Sequence, residues 1–556
     1  MAKITLDGKQ FEVEDGRTII EAARENGIEI PHFCWHPKLS VSGNCRMCLV
    51  EVEKLPKLVI ACATRVVDGM VVNTVNPRVA KAREAVMEFL LINHPLDCPI
   101  CDEAGECKLQ DYAYAHSTGA SRFTEDKVHK PKRVELGPRV MLDTERCIMC
   151  SRCVRFCSEI AAKPQLTFSQ RGDRVELTTF PGEQLDNPYS MNTIDICPVG
   201  ALTNRDFRFK ARVWEMSSTE TVCPGCARGC SMYSWVRNNE ILRQTPRYNP
   251  DVNDHWMCDQ GRLETFRHVN ADDRIKAPLI RKESECVEVG WDEAIARTAS
   301  EFRVYRKSEI AVFGSARATN EDHFLLQKFA REVLGTKQVI VLPHVVPGDD
   351  DALLLRADKT PNARGVALMG ATSSGALVDV LRRIEAGEIR AAFVMEDDIA
   401  ADPAIAAALP KLDFLAVHAS NESETTRLAD VVFPAATFAE RNGTYTNFQG
   451  VVQRIRPSVT TLDQDRASDG LAMSRWDKFG TAFDRWGRGT KRDARPGWKV
   501  IAGIASVMGM KYKYLQAEDV FAELASVVEA FKGMTYRSLG SRGQMLVPAR
   551  EHTVRS

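Results

Sequence analysis

"RCIMCSRCVRFC", residues 146–157, decides the local fold, because it spaces four cysteines at short and regular intervals. Cys147, Cys150 and Cys153 recur at every third position. Three thiolates at this spacing fold around a [4Fe–4S] cubane more readily than around zinc. The stretch therefore predicts an iron–sulfur site rather than a helix or strand of ordinary packing.

The fourth ligand of this site is expected from elsewhere in the chain. In C-x2-C-x2-C-x3-C runs of bacterial ferredoxins the last cysteine serves a second cluster. "DICPVGAL" supplies Cys197, followed by Pro198, without the rest of a second motif. We therefore predict one cluster on Cys147, Cys150, Cys153 and Cys197. Cys157 would then pack as a small apolar residue, although its use as a ligand stays an open alternative.

A second group comprises Cys34, Cys45, Cys48 and Cys62. The preceding "KITLDGKQFEVEDGRTIIEAARENG" predicts a hairpin turning at Asp7-Gly8 and then an amphipathic helix that buries its apolar residues, Ile19, Ile20, Ala22 and Ala23. A small sheet with one helix and a cysteine loop is typical of a β-grasp ferredoxin, and Gly43 would let the backbone approach a cluster. We predict a [2Fe–2S] site, with zinc as the alternative.

A third group lies in "HPLDCPICDEAGECKLQ", residues 94–110, which holds only three cysteines, Cys98, Cys101 and Cys107. His94 is the candidate fourth ligand, because Pro95 ends the upstream helix "AREAVMEFLLINH" near it. The alternative is a surface histidine favoured at a helix C-terminus.

The fourth group is "VCPGCARGC", with Cys223, Cys226 and Cys230, completed by Cys258. This spacing suits a zinc ribbon or a cubane. The neighbouring iron–sulfur motifs favour a [4Fe–4S] cluster, while Cys286 has no evident partner.

The composition excludes several functions. The 556 residues carry a net charge of -1 and 17 cysteines, all between Cys34 and Cys286. Clustered cysteines in a chain without a secretory signal favour metal over disulfides. No basic stripe predicts nucleic-acid binding, no apolar run is long enough to span a membrane, and no GxGxxG fingerprint predicts an NADH or flavin site.

Together these motifs resemble the large iron–sulfur subunit of respiratory complex I, which is the G subunit of bacterial NADH–quinone oxidoreductase and the counterpart of the mitochondrial 75 kDa subunit. The resemblance covers essentially the first 270 residues, and family members carry a histidine ligand at the position matching His94. The chain is shorter than expected of this family, so we expect a trimmed C-terminal region.

The C-terminal half resembles the molybdopterin oxidoreductase fold in "GWDEAIARTASEF", "ATNEDHFLLQKFAREVLGT" and "FAERNGTYTNFQGVVQRIRPS". Related formate dehydrogenases bind molybdenum through a cysteine or selenocysteine after the second segment. Here that region, "TKQVIVLPHVVPGDDDA", has no cysteine, so we expect a degenerate fold without molybdopterin. A serine or aspartate ligand to molybdenum stays an open alternative.

The resemblance implies an electron-transfer subunit of a membrane-bound, proton-translocating NADH:quinone oxidoreductase, with no complete active site and no catalytic residues in this chain. Electrons from NADH and FMN on a neighbouring subunit would pass the Cys34, Cys147 and His94 clusters towards quinone, and the Cys223 cluster would lie off this path. The implied partners are other complex I subunits. The implied location is the peripheral arm, on the cytoplasmic side of the inner membrane. The alternatives are a subunit of a soluble NAD-linked formate dehydrogenase or NAD-reducing hydrogenase, and a zinc-bound scaffold.

We therefore expect a multidomain α+β and α/β chain. The predicted domains are a [2Fe–2S] ferredoxin-type domain (1–78), a [4Fe–4S] domain with one histidine and three cysteine ligands (79–140), a ferredoxin-like [4Fe–4S] domain (141–215), a [4Fe–4S] domain of the molybdopterin-enzyme type (216–275), a pterin-free α/β domain (276–480) and a C-terminal helical segment (481–556).

Two further patterns concern the α/β domain. "GVALM" followed by "GATSSGALVDVL" predicts a strand–turn–helix crossover, but Ala376 stands where a phosphate-binding lysine would be needed. "AAFVMEDDIA" predicts a buried strand that ends in solvated loop acids.

Overall fold

The computed structural model describes residues 1–283, 285–336, 338–371, 374–469 and 489–547. The chain forms two compact units that divide between Glu215 and Met216. The fold is mixed α/β with several separate sheets, as the sequence predicts.

The first unit begins with a mixed five-stranded sheet. Its first two strands form the predicted hairpin, in which Asp7 and Gly8 take positive φ angles of 47° and 80°. The predicted helix follows and buries its four apolar residues under a capping box between Thr18 and Glu21. The strands in sheet order are Lys9–Val13, Ala2–Leu6, Val71–Asn73, Leu49–Val52 and Val59–Ile60, and the helix is Ile19–Glu25.

The rest of the first unit consists of short elements around cysteine loops. A three-stranded sheet and a two-stranded sheet support helices of one to four turns. The strands are Leu202–Asn204, Val140–Leu142 and Val134–Glu135 in one sheet and Leu166–Ser169 and Glu176–Thr179 in the other, and the helices are Pro77–Ile92, Lys108–His116, Arg152–Glu159 and Asn192–Asp195.

The second unit begins with a three-stranded antiparallel sheet and then forms a large α/β domain. In its seven-stranded sheet, five neighbouring strands are parallel and two at one edge are antiparallel. The first sheet is Ser217–Val222, Ser231–Arg237 and Glu240–Pro246; the large sheet in order is Glu285–Glu288, Leu279–Lys282, Val431–Pro434, Phe414–Ala419, Ala391–Met395, Ile310–Gly314 and Ile340–Val341; a third comprises Gly443–Thr446, Val451–Ile455 and Gln544–Met545.

Helices cover both faces of the large sheet. The last helices belong to this core, because Trp498, Ile504 and Phe521 pack in one cluster with Phe393 and Phe433 of the sheet. Within residues 489–547, the described part of the segment 481–556, these helices pack into the core of the α/β domain and form no separate core. The helices are Asp259–Leu263, Arg267–Asn270, Trp291–Val304, Asn320–Phe329, Ala363–Leu368, Ser374–Glu385, Pro403–Ala408, Glu424–Leu428, Leu462–Asp469, Gly497–Val507, Ala517–Val527 and Tyr536–Leu539.

Two sequence predictions for the α/β domain are wrong. "GVALM" lies mostly in the helix Ala363–Leu368 rather than a strand, because five apolar residues alone do not separate a strand from a short buried helix. The acids after the strand Ala391–Met395 are bonded rather than solvated: Glu396 pairs with Arg441, Asp397 with His344, and Asp398 accepts from Thr425.

In the described part of the chain, no helix combines the length and the apolar character that a bilayer crossing requires.

Leu415 tests the core of the α/β domain. It lies in a parallel strand and is 2% exposed, whereas Leu515 of the same unit is 91% exposed. We expect Leu415→Ala to lower the free energy of unfolding by about 2–5 kcal/mol, because it leaves a cavity. Leu515→Ala should change it by less than about 0.5 kcal/mol. Denaturant titration followed by circular dichroism measures both, and equal effects would contradict this core assignment.

Candidate metal-cluster sites

Cys34, Cys45, Cys48 and Cys62 converge under the N-terminal sheet. The first three lie on the loop between the helix Ile19–Glu25 and the strand Leu49–Val52, and Cys62 follows the strand Val59–Ile60. Their thiols hydrogen-bond in two pairs, Cys34 with Cys45 and Cys48 with Cys62. The four residues predicted from the sequence are therefore brought together, three of them fully buried.

The pairing shifts the pKa values of these thiols. The hydrogen bond from Cys45 lowers the pKa of Cys34 to about 5, and the bond from Cys62 lowers the pKa of Cys48. The same hydrogen bonds raise the pKa values of the donating thiols, Cys45 and Cys62. In each pair one thiol therefore loses its proton more readily than an isolated cysteine, and the thiolate is the form that binds metal.

Cys147, Cys150, Cys153 and Cys197 form a second convergent group. Met149 and Ser151 take positive φ angles of 53° and 61°, which lets the short run curl before the helix Arg152–Glu159 begins. The thiol of Cys153 interacts electrostatically with those of Cys150, Cys147 and Cys197, in that order, and burial raises its pKa. Burial also raises the pKa of Cys147 to about 12.

Cys157 differs from these four residues. It is fully buried on the helix, and burial alone raises its pKa to about 12. Its influence on Cys153 is weaker than that of Cys150, Cys147 or Cys197. This arrangement favours the predicted packing role over ligation.

One pocket is lined by His94 and by the three cysteines of "HPLDCPICDEAGEC", together with Pro95, Asp97, Ala104, Gln110, Arg146 and Gly200. The helix Pro77–Ile92 ends two residues before His94, as the sequence predicts. Cys101 and Cys107 are buried, whereas Cys98 is exposed. The histidine and the three thiols therefore share one site.

The His94 imidazole is neutral at neutral pH. Burial is the main cause that lowers its pKa to about 4, and the positive charges of Arg146 and Lys127 act in the same direction. A neutral imidazole has a free lone pair for a metal ion. The surface-histidine alternative does not fit a partly buried ring that faces a thiol-lined cavity.

The segment Cys197–Gly200 connects two sites: it begins at Cys197 of the Cys147 group and packs against the cysteines of the His94 site. The Pro198 carbonyl accepts a hydrogen bond from Lys108 N at 3.1 Å and lies 3.9 Å from Cys107 Sγ. A Cβ on Gly200 would lie 2.3 Å from Cys101 Sγ. The sequence analysis identified Cys197 but missed Gly200. Its position directly after the "CPV" of Cys197 could have indicated that it lies close to a cluster site.

The fourth group lies in the second unit. Cys223, Cys226 and Cys230 occupy the hairpin loop between the strands Ser217–Val222 and Ser231–Arg237, and Cys258 caps the helix Asp259–Leu263. All four are buried, and their thiols interact with one another. Gly261 packs against two of them, since a Cβ there would lie 3.0 Å from Cys223 Sγ and 3.2 Å from Cys258 Sγ.

These donor sets fit iron–sulfur clusters. Three sites offer four thiols each and one offers three thiols with an imidazole, which are the ligand types that clusters use. Burial penalises the thiolate form, and it raises the pKa values of Cys107 and Cys258 to about 11 and about 12.

Comparison with known protein families gives five matches. Residues 1–77 match a 2Fe-2S iron-sulfur cluster binding domain, 83–122 the NADH-ubiquinone oxidoreductase-G iron-sulfur binding region, and 137–203 the ferredoxin-like domain of NADH-quinone oxidoreductase subunit 3. Residues 216–269 match the molybdopterin oxidoreductase Fe4S4 domain and 357–468 molybdopterin oxidoreductase.

Curated relatives agree with these matches. The chain is 42% identical over 60% of its length to the NADH-quinone oxidoreductase G subunit of Rickettsia bellii, covering 48% of that protein. It is 42% identical over 54% of its length to the mitochondrial NADH-ubiquinone oxidoreductase 78 kDa subunit of Neurospora crassa, covering 40%, and 40% identical over 64% to the 75 kDa subunit of Reclinomonas americana, covering 52%. The matched part thus spans about half the length of these relatives.

Gly200 provides a test of the His94 site. In Gly200→Ala the new Cβ cannot fit against Cys101 Sγ, so we expect this site to lose its metal, about four iron atoms per chain. Gly290→Ala is the control, because a Cβ at Gly290 meets nothing within 4 Å. Iron and acid-labile sulfide are measured on anaerobically prepared protein. Full iron content in Gly200→Ala would contradict the close contact.

Proposed function

We propose that this chain, which is homologous over 60% of its length to the G subunit of NADH-quinone oxidoreductase, is an iron–sulfur electron-transfer subunit of such an enzyme. It would carry electrons from an NADH- and FMN-binding module towards quinone. The chain would be one part of this oxidoreductase, and no residue of it is assigned a catalytic role.

One observation carries the proposal: the three ligand sets of the first unit lie in direct succession. The loops of the Cys34 and Cys147 sites touch, because Asn44 Nδ2 donates to Met149 O at 2.9 Å and Ser151 Oγ to Ser42 Oγ at 3.1 Å. The Cys147 site reaches the His94 site through Cys197–Gly200. This contiguity supports transfer in the order Cys34 site, Cys147 site, His94 site.

Bound clusters would supply one-electron oxidation and reduction without proton chemistry. The protein's own residues bind them, fix their separation and exclude water. The proposed cofactors are one [2Fe–2S] and three [4Fe–4S] clusters. The proposed ligands are Cys34, Cys45, Cys48 and Cys62 for the first, and His94, Cys98, Cys101 and Cys107; Cys147, Cys150, Cys153 and Cys197; and Cys223, Cys226, Cys230 and Cys258 for the others.

The second unit is proposed to bind no molybdopterin. Among the described residues that follow the helix Asn320–Phe329, His344 is held by Asp397 at 2.9 Å and Val345 forms a bridge with Asp358. The chain has no cysteine beyond Cys286, so it offers no thiolate for a soft metal here. This absence favours a scaffold role over a formate dehydrogenase.

The proposed partners are other complex I subunits, in particular the NADH- and FMN-binding subunit and those that lead to quinone. The proposed location is the peripheral arm on the cytoplasmic side of the inner membrane.

Metal content tests the proposal. Two iron atoms at the Cys34 site and four at each of the other three sites give about 14 per chain. Anaerobically purified protein should contain this iron with matching acid-labile sulfide and no molybdenum. About ten iron atoms per chain would mean that one of the three proposed [4Fe–4S] clusters is absent. Zinc in place of iron, or one molybdenum per chain with formate-dependent dye reduction, would contradict the function.

His94 tests the mixed ligand set. We expect His94→Ala to lose or convert only the cluster of its own site, because the other three sets are complete without it. Electron paramagnetic resonance should then keep three signals, while quinone reduction by the assembled enzyme falls. His94→Cys should rebuild the cubane with altered magnetic properties. His129→Ala is the control, since His129 is exposed and pairs with Glu145; an unchanged spectrum in His94→Ala would refute ligation.

A further inference from the structure

Arg152 lies between the Cys34 and Cys147 sites. Its Nη1 donates to the Ile196 carbonyl at 3.0 Å, next to Cys197, and its Nη2 donates to the Trp35 carbonyl at 2.6 Å, next to Cys34. One guanidinium therefore links the backbones of both ligand loops.

This guanidinium has no acidic partner among the residues that the structure describes. Its Nε is shielded from solvent and makes no hydrogen bond there. Burial lowers the pKa of this guanidinium, and the groups that oppose that shift most strongly are cysteine thiols, Cys150 and Cys197 of one site and Cys34 and Cys45 of the other.

Arg155 repeats the pattern one helical turn later. Its Nη2 donates to the Cys34 carbonyl at 2.5 Å and lies 3.4 Å from the Cys150 carbonyl, and its Nη1 donates to the Ser40 carbonyl. Two arginines on one helix face thus bind carbonyls of both loops. Neither pairs with a carboxylate in the described part of the chain.

Arg146, a buried arginine of the same unit, offers a comparison with Arg152. It lies beside the His94 site and contacts Asp97 at 3.1 Å and Asp143 at 3.2 Å. Its charge is balanced by carboxylates, whereas that of Arg152 is not.

Arg152 is partly buried, and a cation withdrawn from water without a counter-charge is disfavoured, so its charge favours a nearby anion. The anions that fit are the clusters at the two sites. An iron–sulfur core held by four thiolates is negative overall, and one-electron reduction adds one negative charge. A fixed cation nearby favours the reduced state, because charges interact more strongly in protein than in water.

We propose that Arg152 is a shared counter-charge for the clusters of the Cys34 and Cys147 sites, raising the reduction potential of both while it joins their loops. Arg155 supports it from the next turn. Arg152 is a positioning residue that acts through the clusters, and the proposal rests on the proposed function.

The test uses the full chain, purified anaerobically, with redox titration followed by electron paramagnetic resonance. Arg152→Met removes the charge and keeps a long apolar side chain, whereas Arg152→Lys keeps the charge and loses the planar fork. In Arg152→Met we expect the reduction equilibrium of both clusters to fall at least tenfold, about 59 mV for one electron. In Arg152→Lys both clusters should keep most of the wild-type reduction potential, because the positive charge remains.

Two internal controls accompany these variants. The His94 cluster should keep its potential in Arg152→Met, because its neighbouring arginine is Arg146. Arg122→Met removes an equal charge from a side chain that is 83% exposed and pairs with Glu88, and it should shift none of the clusters.

The outcomes separate the two proposals. Wild-type protein without iron–sulfur signals would overturn the proposed function. Wild-type signals with unchanged potentials in Arg152→Met would overturn only the counter-charge. Equal shifts in the Lys and Met variants would also overturn it, since that result indicates a purely structural joint. Should Arg152→Met fail to fold, Arg152→Lys is compared with Arg155→Met instead. The reduction potentials of the two clusters are then expected to fall in Arg155→Met and not in Arg152→Lys.

Discussion

The first unit depends on a single constraint, the burial of thiol groups that bind metal only as thiolates. Burial raises the pKa values of Cys101, Cys107, Cys150 and Cys153, so without a metal these sites disfavour the form that ligates. Short elements of one to four turns surround them, and their packing alone offers little to offset that cost. Cluster binding and folding would therefore be linked, because iron held by these residues would supply the positive charge that buried thiolates require.

The sites differ in how positive charge is placed around them. Arg152 and Arg155 donate to backbone carbonyls of two sites, while Arg146 is held by carboxylates beside the third. The third site also replaces one thiolate by an imidazole that burial keeps neutral. Both the ligands and the surrounding charges thus change along the succession of sites, and each change alters the electrostatic cost of adding an electron.

The second unit has a large α/β domain in which Cys286 is exposed on the edge strand Glu285–Glu288 and no cysteine follows it in the sequence. Its interior holds paired charges instead. Arg274 contacts Glu440 at 2.7 Å, and Arg441 contacts Asp322 at 3.1 Å and Glu396 at 2.8 Å. Breaking one partner of such a pair costs far more than the pair contributes, so these residues hold the strand ends of the sheet in a fixed arrangement. That is consistent with the proposed scaffold role of this unit.

The sequence alone determined the elements whose signals are local. Asp7-Gly8 marks a tight turn, Ile19 to Ala23 mark one buried helix face, and the cysteine spacings mark four ligand loops, because turns, helix periodicity and chelate loops each depend on residues a few positions apart. The helix that ends before His94 was predictable for the same reason. Where such signals were weak, as in "GVALM", tertiary packing chose the structure. Only the tertiary structure brought His94 into the cavity with Cys101, set Gly200 against that thiol and placed Arg152 between two sites. Those contacts join residues up to 117 positions apart, and the sequence carries no periodicity that spans such distances.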